Sequence, residues 1–455
     1  MASTSASTAL LTDMYELTML DSAIASGKAW RSSVFEVFGR RLPGGRRYGV
    51  VCGTDRILEA INNFRFTDDE LSYLRSLNIL SEETLKYLND FSFQGNLYAY
   101  PEGECYFPNS PILQLEGTFA ECVILETLIL SILNHDSSIA TAASRMITAA
   151  HGRPCVDFGS RRTHEESAVH AARAAVIAGF AGTSNLEAGR RYGLKVSGTS
   201  AHAFTLLHEN EKEAFQAQIN TMGTNTTLLI DTYDVDQGLK NAVEAARNAG
   251  GELGSVRVDS GDLVAGAFFI RKKLDDLGAH STKIVITNDL DEDAIASLNA
   301  APADSYGVGT KLVTGSGYPT AELVFKLVSR EDDEGVMQKV EKLSESKHTA
   351  GGFKVAGRLT TNQGRASQEL VVACRSWEEG QEFLRKNGAR PLQKLYIKEG
   401  HLLNGITTGI DAIKEAQERL NLSRNELPDD GWRLSPGDPA VPTKMLDIID
   451  INDMN

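Results

Sequence analysis

From Cys155 onward the chain repeats one pattern: a short apolar run, polar residues at its C-terminal end, then a helical stretch. Seven such runs occur, at 156–161, 180–185, 195–202, 227–234, 255–262, 283–289 and 305–313. Helical patterns between them include 164–178 and 239–248. In the second, Leu239, Ala242, Val243 and Ala246 recur at i, i+3, i+4 and i+7 and form one apolar face. Strands that alternate with helices pair in parallel, because parallel neighbours need a long crossover. An open doubly wound sheet and a closed barrel both meet that condition. The strand tips separate them: Arg161, Ser184, His202, Asp231/Asp234, Asp259/Asp262, Asn288/Asp289 and Gly309/Thr310. A barrel gathers every tip at one mouth, whereas an open sheet collects only those beside its switch point. Polar chemistry at nearly every tip therefore predicts an α/β barrel over 151–330.

Residues 1–150 mix helices and strands without regular alternation and predict an N-terminal α+β domain. Residues 11–25 read as a helix. Residues 34–38 and 48–52 read as strands joined through a Pro43-Gly44-Gly45 turn, with further strands at 95–100 and 112–115. The stretch 123–133 is the most apolar, but it contains Glu126 and Thr127 and is too short to span a bilayer. It reads as a core helix. A helix is expected near 319–327, after the last run. The C-terminal segment, 331–455, predicts strands at 335–342 and 393–397, with C-terminal strands available to pack on the N-terminal domain. It also predicts an amphipathic helix at 410–420 and an irregular tail after Leu427.

The formal net charge of −15 speaks against nonspecific nucleic-acid binding, which needs a surplus of Lys and Arg. It leaves room for an anionic small molecule, because a local arginine cluster opposes the global sign. Cys52, Cys105, Cys122, Cys155 and Cys374 are scattered and lack C-x-x-C spacing. They predict neither a disulfide framework nor a metal site, and they fit a reducing, cytoplasmic compartment. Residues 1–8 are small and polar, without the basic and apolar regions of a signal peptide.

Several motifs carry chemistry. Arg257 stands between Val256 and Val258, and burying a guanidinium there demands an anionic partner, either a ligand or a neighbouring aspartate. Asp259 and Asp262 follow, separated by Ser260 and Gly261, and suit ribose hydroxyls or a Mg²⁺ held through water. Gly307-Val308-Gly309-Thr310 ends the last run. Its glycines let backbone N–H groups approach a phosphate, although such a sequence also forms a plain tight turn. Phe158 offers an aromatic face beside Arg161 and Arg162, whose guanidiniums suit phosphate or carboxylate. His202 ends the third run. An imidazole there can accept, donate or covalently hold a charged group, and a lone histidine is equally an ordinary structural hydrogen-bonder.

Taken in order, Thr12-Asp13-Met14-Tyr15-Glu16-Leu17-Thr18-Met19, Asp157-Phe158-Gly159-Ser160-Arg161-Arg162, Gly182-Thr183-Ser184-Asn185, Gly198-Thr199-Ser200-Ala201-His202, Asp231-Thr232-Tyr233-Asp234, Arg257-Val258-Asp259-Ser260-Gly261-Asp262 and Gly307-Val308-Gly309-Thr310 resemble the motifs of the nicotinate phosphoribosyltransferase family, most nearly its bacterial form. The resemblance runs from Leu11 to Lys326 and more weakly to Arg358. It implies a type II phosphoribosyltransferase: an incomplete seven-stranded, TIM-like α/β barrel with an N-terminal α+β domain, working as a homodimer with shared active sites. The implied reaction joins nicotinate to 5-phosphoribosyl 1-diphosphate and gives nicotinate mononucleotide and diphosphate, in NAD biosynthesis. ATP is the implied co-substrate, hydrolysed through a phosphohistidine at His202, and Mg²⁺ accompanies the substrate phosphates.

By the same resemblance, Phe158 sandwiches the pyridine ring with Tyr15 of the other subunit. Arg257 pairs with the nicotinate carboxylate near Thr199. Arg161 meets phosphates, Asp259 and Asp289 the ribose, and Gly309 and Thr310 the 5-phosphate. Asp262 and Gly307 complete the implied substrate-binding set. Ser184 stands where the related nicotinamide enzyme has an aspartate, which would repel a carboxylate, so serine favours the acid. The segment Lys347-His348-Thr349-Ala350-Gly351-Gly352-Phe353-Lys354 departs from the family's basic, glycine-rich pattern. Other readings are a nicotinamide phosphoribosyltransferase, a phosphosugar lyase or isomerase on a barrel, and an inactive barrel used as a scaffold. The lyase class usually needs a Schiff-base lysine or a metal cluster at a strand tip, and only Lys311 stands at one. Intact His202, Arg257, Asp259 and Asp262 speak against the scaffold.

Overall fold

The computed structural model describes residues 6–341 and 351–449. Parts of four expectations lie outside the described residues: residues 1–5 of the polar N-terminus, position 342 of the strand at 335–342, positions 347–350 of the glycine-rich segment, and the tail beyond 449. The chain folds into two units. One joins Met1–Ser138 with Thr320–Asn455, and the other is Ile139–Pro319.

In the first unit a seven-stranded sheet runs in the order Met337–Lys339, Leu323–Glu331, Ser32–Gly39, Leu113–Thr118, Asn96–Ala99, Lys394–Lys398 and His401–Leu402. All its pairings are antiparallel. The C-terminal segment thus completes a sheet begun near the N-terminus. Three expectations change here. The stretch expected as a helix at 319–327 contributes to the strand Leu323–Glu331, whose Leu323, Phe325 and Val328 are buried. Pairing with Ser32–Gly39 outweighs local propensity there. Gly49–Val50 is not the hairpin partner of Ser32–Gly39 but pairs with Cys105–Tyr106, because both edges of Ser32–Gly39 are already occupied. The tail is not wholly irregular: Thr443–Asp447 pairs in parallel with Ala366–Cys374. That strand has no fully buried residue, so its sequence carries little alternation.

The apolar stretch 123–133 falls in two helices, Phe119–Val123 and Glu126–Ala150, the first opened by a capping box between Thr118 and Glu121. Among the described residues no helix is long and apolar enough to cross a membrane. The five cysteines are buried with free thiols.

The second unit is built on six parallel strands, here β1 (Cys155–Asp157), β2 (Gly182–Thr183), β3 (Thr227–Leu229), β4 (Ser255–Val258), β5 (Lys283–Asn288) and β6 (Ser305–Val308). Their order is β2-β1-β6-β5-β4-β3, so the first strand pairs with the last. Six of the seven expected runs become strands. The run 195–202 gives only a single bridge, Val196 to Thr183. Val196 is its sole large apolar residue and is 41% exposed, so little burial holds the run against the sheet. His202 consequently sits at the start of a helix, His202–Leu207, and not at a strand tip. The predicted apolar face of Val235–Asn248 is buried at Leu239, Ala242, Val243 and Ala246. A mixed α/β unit with a parallel sheet is therefore the observed architecture.

Candidate active site

The C-terminal ends of β1, β2, β4, β5 and β6 border a cavity of about 600 Å³ in the second unit. Alternation along β4 buries Val256 and Val258 and turns Arg257 to the other face, toward that cavity. Arg257 donates through one guanidinium nitrogen to Thr199 Oγ1, while its buried Nε has no partner. Burial pulls the guanidinium's pKa down from its ordinary value. Asp259 and Asp231 oppose that pull, and Arg161 adds repulsion. A half-buried cation with an unspent, buried donor favours an anion in the cavity.

Phe158 follows β1 and is held by its backbone N–H, which donates to Val308 O at 2.8 Å. Its ring lies so close to Gly307 that a Cβ there would stand 2.5 Å from the ring edge and from Thr287 Cγ2. Gly307 thus makes room for the ring. Asp157 shapes the adjoining turn, accepting from Thr183 Oγ1 at 2.6 Å and Gly159 N at 2.8 Å. Burial raises its pKa, and these bonds oppose the shift. Asn185 donates to Ser160 Oγ at 3.1 Å and caps the helix Leu186–Tyr192, which fixes the turn that carries Ser184.

His202 is half-buried. Its Nδ1 lies 3.0 Å from Thr232 Oγ1, and its Nε2 lies 3.4 Å from Asp259 Oδ1 and 3.8 Å from Asp231 Oδ1. Asp231 is fixed in turn. Its Oδ2 accepts from Asp259 N at 2.9 Å and Ser260 Oγ at 2.7 Å, while its Oδ1 is buried without a partner. Asn288, at the end of β5, has φ of 151°, a conformation rare for a residue with a side chain. Its Oδ1 accepts from Asp289 N at 2.8 Å and sets the turn at the cavity edge. Oxygen donors for a cation are present on Asp259 and Asp289, with the free oxygen of Asp231 nearby.

The family model for the nicotinate phosphoribosyltransferase N-terminal domain matches residues 10–134, and that for the nicotinate phosphoribosyltransferase family matches residues 154–356. A nicotinate phosphoribosyltransferase of Mycobacterium tuberculosis is 49% identical over 96% of this chain and 95% of its own length. The chain belongs to the nicotinate phosphoribosyltransferase family. The Bacillus subtilis nicotinate phosphoribosyltransferase is 38% identical over 81% of this chain and 76% of its own. The human nicotinic acid phosphoribosyltransferase structure shares the fold with a TM-score of 0.80 at 23% identity, over 95% of this chain and 98% of that one.

Within this nicotinate phosphoribosyltransferase family member, Phe158, Arg161, Ser184, Thr199, His202, Arg257, Asp259, Asp289, Gly307, Gly309 and Thr310 all line the cavity. Two residues from the sequence reading do not. Tyr15 lies in the other unit, exposed on the helix Met14–Ala25. Asp262 caps the helix Leu263–Asp276, its Oδ1 accepting from Ala265 N at 3.0 Å. Arg162, read with Arg161 as an anion-binding guanidinium, and the strand-tip residue Asn288 also line the cavity, whereas sequence reasoning gave no individual role to Ser200 and Thr287, which line it too, or to Thr232, which with the strand-tip residue Asp231 holds His202. A signal for Asp231 existed. After β3, β4 and β5 the first acid, Asp231, Asp259 or Asp289, belongs to the site, while the second, Asp234, Asp262 or Asp291, caps the next helix.

Proposed function

We infer that this chain is an enzyme that joins nicotinate to 5-phosphoribosyl 1-diphosphate, giving nicotinate mononucleotide and diphosphate, a step of NAD biosynthesis. Family membership supports the activity. The observation that carries the substrate reading is Arg257: a half-buried guanidinium whose buried Nε lacks a partner, opening on the same cavity as the Phe158 ring. In this reading the carboxylate of nicotinate meets Arg257 and the pyridine ring lies on Phe158. Asp259 and Asp289 receive the ribose hydroxyls, Gly309 and Thr310 the 5-phosphate, and Arg161 the diphosphate. The pyridine nitrogen forms a bond to the anomeric carbon as the bond to diphosphate oxygen breaks, and the electron pair leaves with diphosphate. Carboxylates near the sugar stabilise the positive charge that develops there. Mg²⁺ would be held by the oxygens of Asp259 and Asp289 together with substrate phosphate, and would neutralise leaving-group charge.

Coupling to ATP belongs to the same proposal. His202 borders the cavity, and Thr232 and Asp231 orient its ring. A neutral imidazole so held can take the γ-phosphoryl group of ATP, an N–P bond forming from the ring-nitrogen lone pair as the bridging P–O bond breaks and its electron pair leaves with ADP. The β1–β6 pairing supports an incomplete barrel, open beside β3, with the run 195–202 as its residual seventh strand. Exposed Leu11, Met14, Tyr15 and Met19 support a homodimer in which Tyr15 serves the partner's site. Buried free thiols fit the cytoplasm.

Steady-state kinetics with nicotinate and nicotinamide test the substrate reading. Ser184 offers no carboxylate, so the acid should be strongly preferred, and comparable specificity constants for the two pyridines would overturn it. Incubation with γ-labelled ATP should leave acid-labile label on the protein. Label that survives in His202→Ala would refute the phosphohistidine.

A further inference from the structure

His202 Nε2 and one carboxylate oxygen each from Asp231 and Asp259 all lie within 4.8 Å of one another. Two features make this more than an acidic cluster. First, the Asp231 side chain is only 2% exposed. Its Oδ2 is already spent on Asp259 N and Ser260 Oγ, while its Oδ1 lacks any hydrogen-bond partner and stands 3.8 Å from the imidazole. An unpartnered buried carboxylate oxygen is unfavourable unless a proton or cation reaches it. Second, the imidazole is oriented from its far side, since Nδ1 lies 3.0 Å from Thr232 Oγ1. A threonine hydroxyl can donate to or accept from Nδ1: where it donates, the Nε2 proton goes to Asp259 Oδ1, and where it accepts, the Nε2 lone pair faces two carboxylates, an arrangement that a cation among them relieves.

We propose that His202, Asp231 and Asp259 form a binding site for a divalent transition ion such as Zn²⁺, separate in chemistry from the Mg²⁺ that travels with substrate phosphates. One imidazole nitrogen and two carboxylate oxygens are donors that Zn²⁺ takes readily, with a water or ligand in the fourth position. Mg²⁺ prefers oxygen donors alone. The separations of 3.4 and 3.8 Å from Nε2 are near the roughly 3.3 Å expected between two ligands of a tetrahedral ion bound at about 2 Å. The fourth position would open on the cavity that His202 and Asp259 line. Thr232, Ser260 and the Asp259 backbone act as the supporting shell.

The ion is an inhibitor of phosphoryl transfer, a consequence that rests on the phosphohistidine reading whereas the binding itself does not. An imidazole coordinated through Nε2 keeps its proton on Nδ1 and has no lone pair left on either nitrogen. Neither nitrogen can then attack ATP.

The test uses the full chain stripped with EDTA, then equilibrium dialysis against Zn²⁺ and optical titration with Co²⁺. The expected result is one ion per chain, displaced little by excess Mg²⁺, with a Co²⁺ spectrum free of thiolate charge transfer. Asp231→Asn and Asp259→Asn should each weaken binding by about tenfold or more, and His202→Ala should abolish the Co²⁺ bands. Asp259 is partly exposed, so its variant keeps the test decisive if Asp231→Asn fails to fold. No stoichiometric retention by the wild-type chain, thiolate bands, or unchanged affinity in these variants overturns the site. In a second arm, Zn²⁺ should suppress labelling by γ-labelled ATP, and EDTA should restore it. If the metal-free protein takes no label at all, the phosphohistidine reading falls and the dialysis result still decides the ion site.

Discussion

Asp231 holds Asp259 by its backbone: its Oδ2 accepts the Asp259 N–H at 2.9 Å. The two residues follow neighbouring parallel strands, so this bond sets the spacing of two turns that meet at the site. The same oxygen accepts the Ser260 hydroxyl at 2.7 Å. Asp231→Ala removes both bonds and the carboxylate that faces His202. At roughly 1 kcal/mol for each hydrogen bond, kcat/KM should fall by about 30-fold. Asp231→Asn keeps an acceptor and should recover part of the loss. Kinetics on variants matched for melting temperature check this, and wild-type rates in the alanine variant would contradict it.

Gly307 is a second positioning residue, through space and not through charge. A methyl group there would meet both the Phe158 ring and Thr287 Cγ2 at 2.5 Å. One of them must move by more than a bond vibration allows, and Phe158, which follows β1, is the freer. Gly307→Ala should raise the KM for nicotinate by about tenfold or more while leaving the KM for 5-phosphoribosyl 1-diphosphate closer to its original value. A parallel rise in both constants would point to a general collapse of the strand end instead.

How much of this was legible in the sequence follows from what each residue had to satisfy. The helix faces and the strand tips were legible because burial imposes period and polarity, as at Leu239, Ala242, Val243 and Ala246. The run 195–202 misled because hydroxyls and glycine at a tip look alike whether or not a strand precedes them. The strand Leu323–Glu331 was missed because its partner, Ser32–Gly39, is nearly three hundred residues away and no local signal announces it. The cap made by Asp262 was not read from the sequence because a cap and a ligand-binding acid are the same residue type. Its place directly before the helix, three residues ahead of the Ala265 N–H that it accepts, was the cue for the cap. Thr232 had no signal at all, since a threonine that orients a histidine is known only from the geometry.

Arg358 tests the first unit. Its guanidinium is fully buried and pairs with Glu104 at 2.8 Å and Glu369 at 2.9 Å, joining two strands of one sheet to the loop before Cys105–Tyr106. Paired charges hold the pKa of Arg358 up and that of Glu104 down against burial. Arg358→Met leaves two buried carboxylates facing each other, with Arg390 still on Glu104. Removing one partner of such a network typically destabilises by about 3–5 kcal/mol. Urea unfolding followed by far-UV circular dichroism should show that loss, and a change below about 1 kcal/mol would mean that Arg390 compensates.

Glu16 gives the chain a pH dependence whose sign can be stated. Its carboxylate is buried and accepts from Thr127 N at 2.8 Å and Thr127 Oγ1 at 2.5 Å, tying the helix Met14–Ala25 to the start of Glu126–Ala150. Burial pushes its pKa up from 4.5 to about 7. The Thr127 bonds resist that shift, and the charges of Glu126 and Asp13 add to it. Between those two values the folded chain keeps a proton that the unfolded chain has released. Stability from this group is therefore fully present below the unfolded value and is lost as pH rises through about 7. Glu16→Gln cannot titrate and keeps an oxygen for the Thr127 N–H. Melting temperatures of both proteins at about pH 5 and about pH 8 should differ by a few degrees more in the wild type than in the variant. Equal pH dependence in the two proteins would show that Glu16 stays ionised across the range and that the Thr127 bonds, not burial, control it.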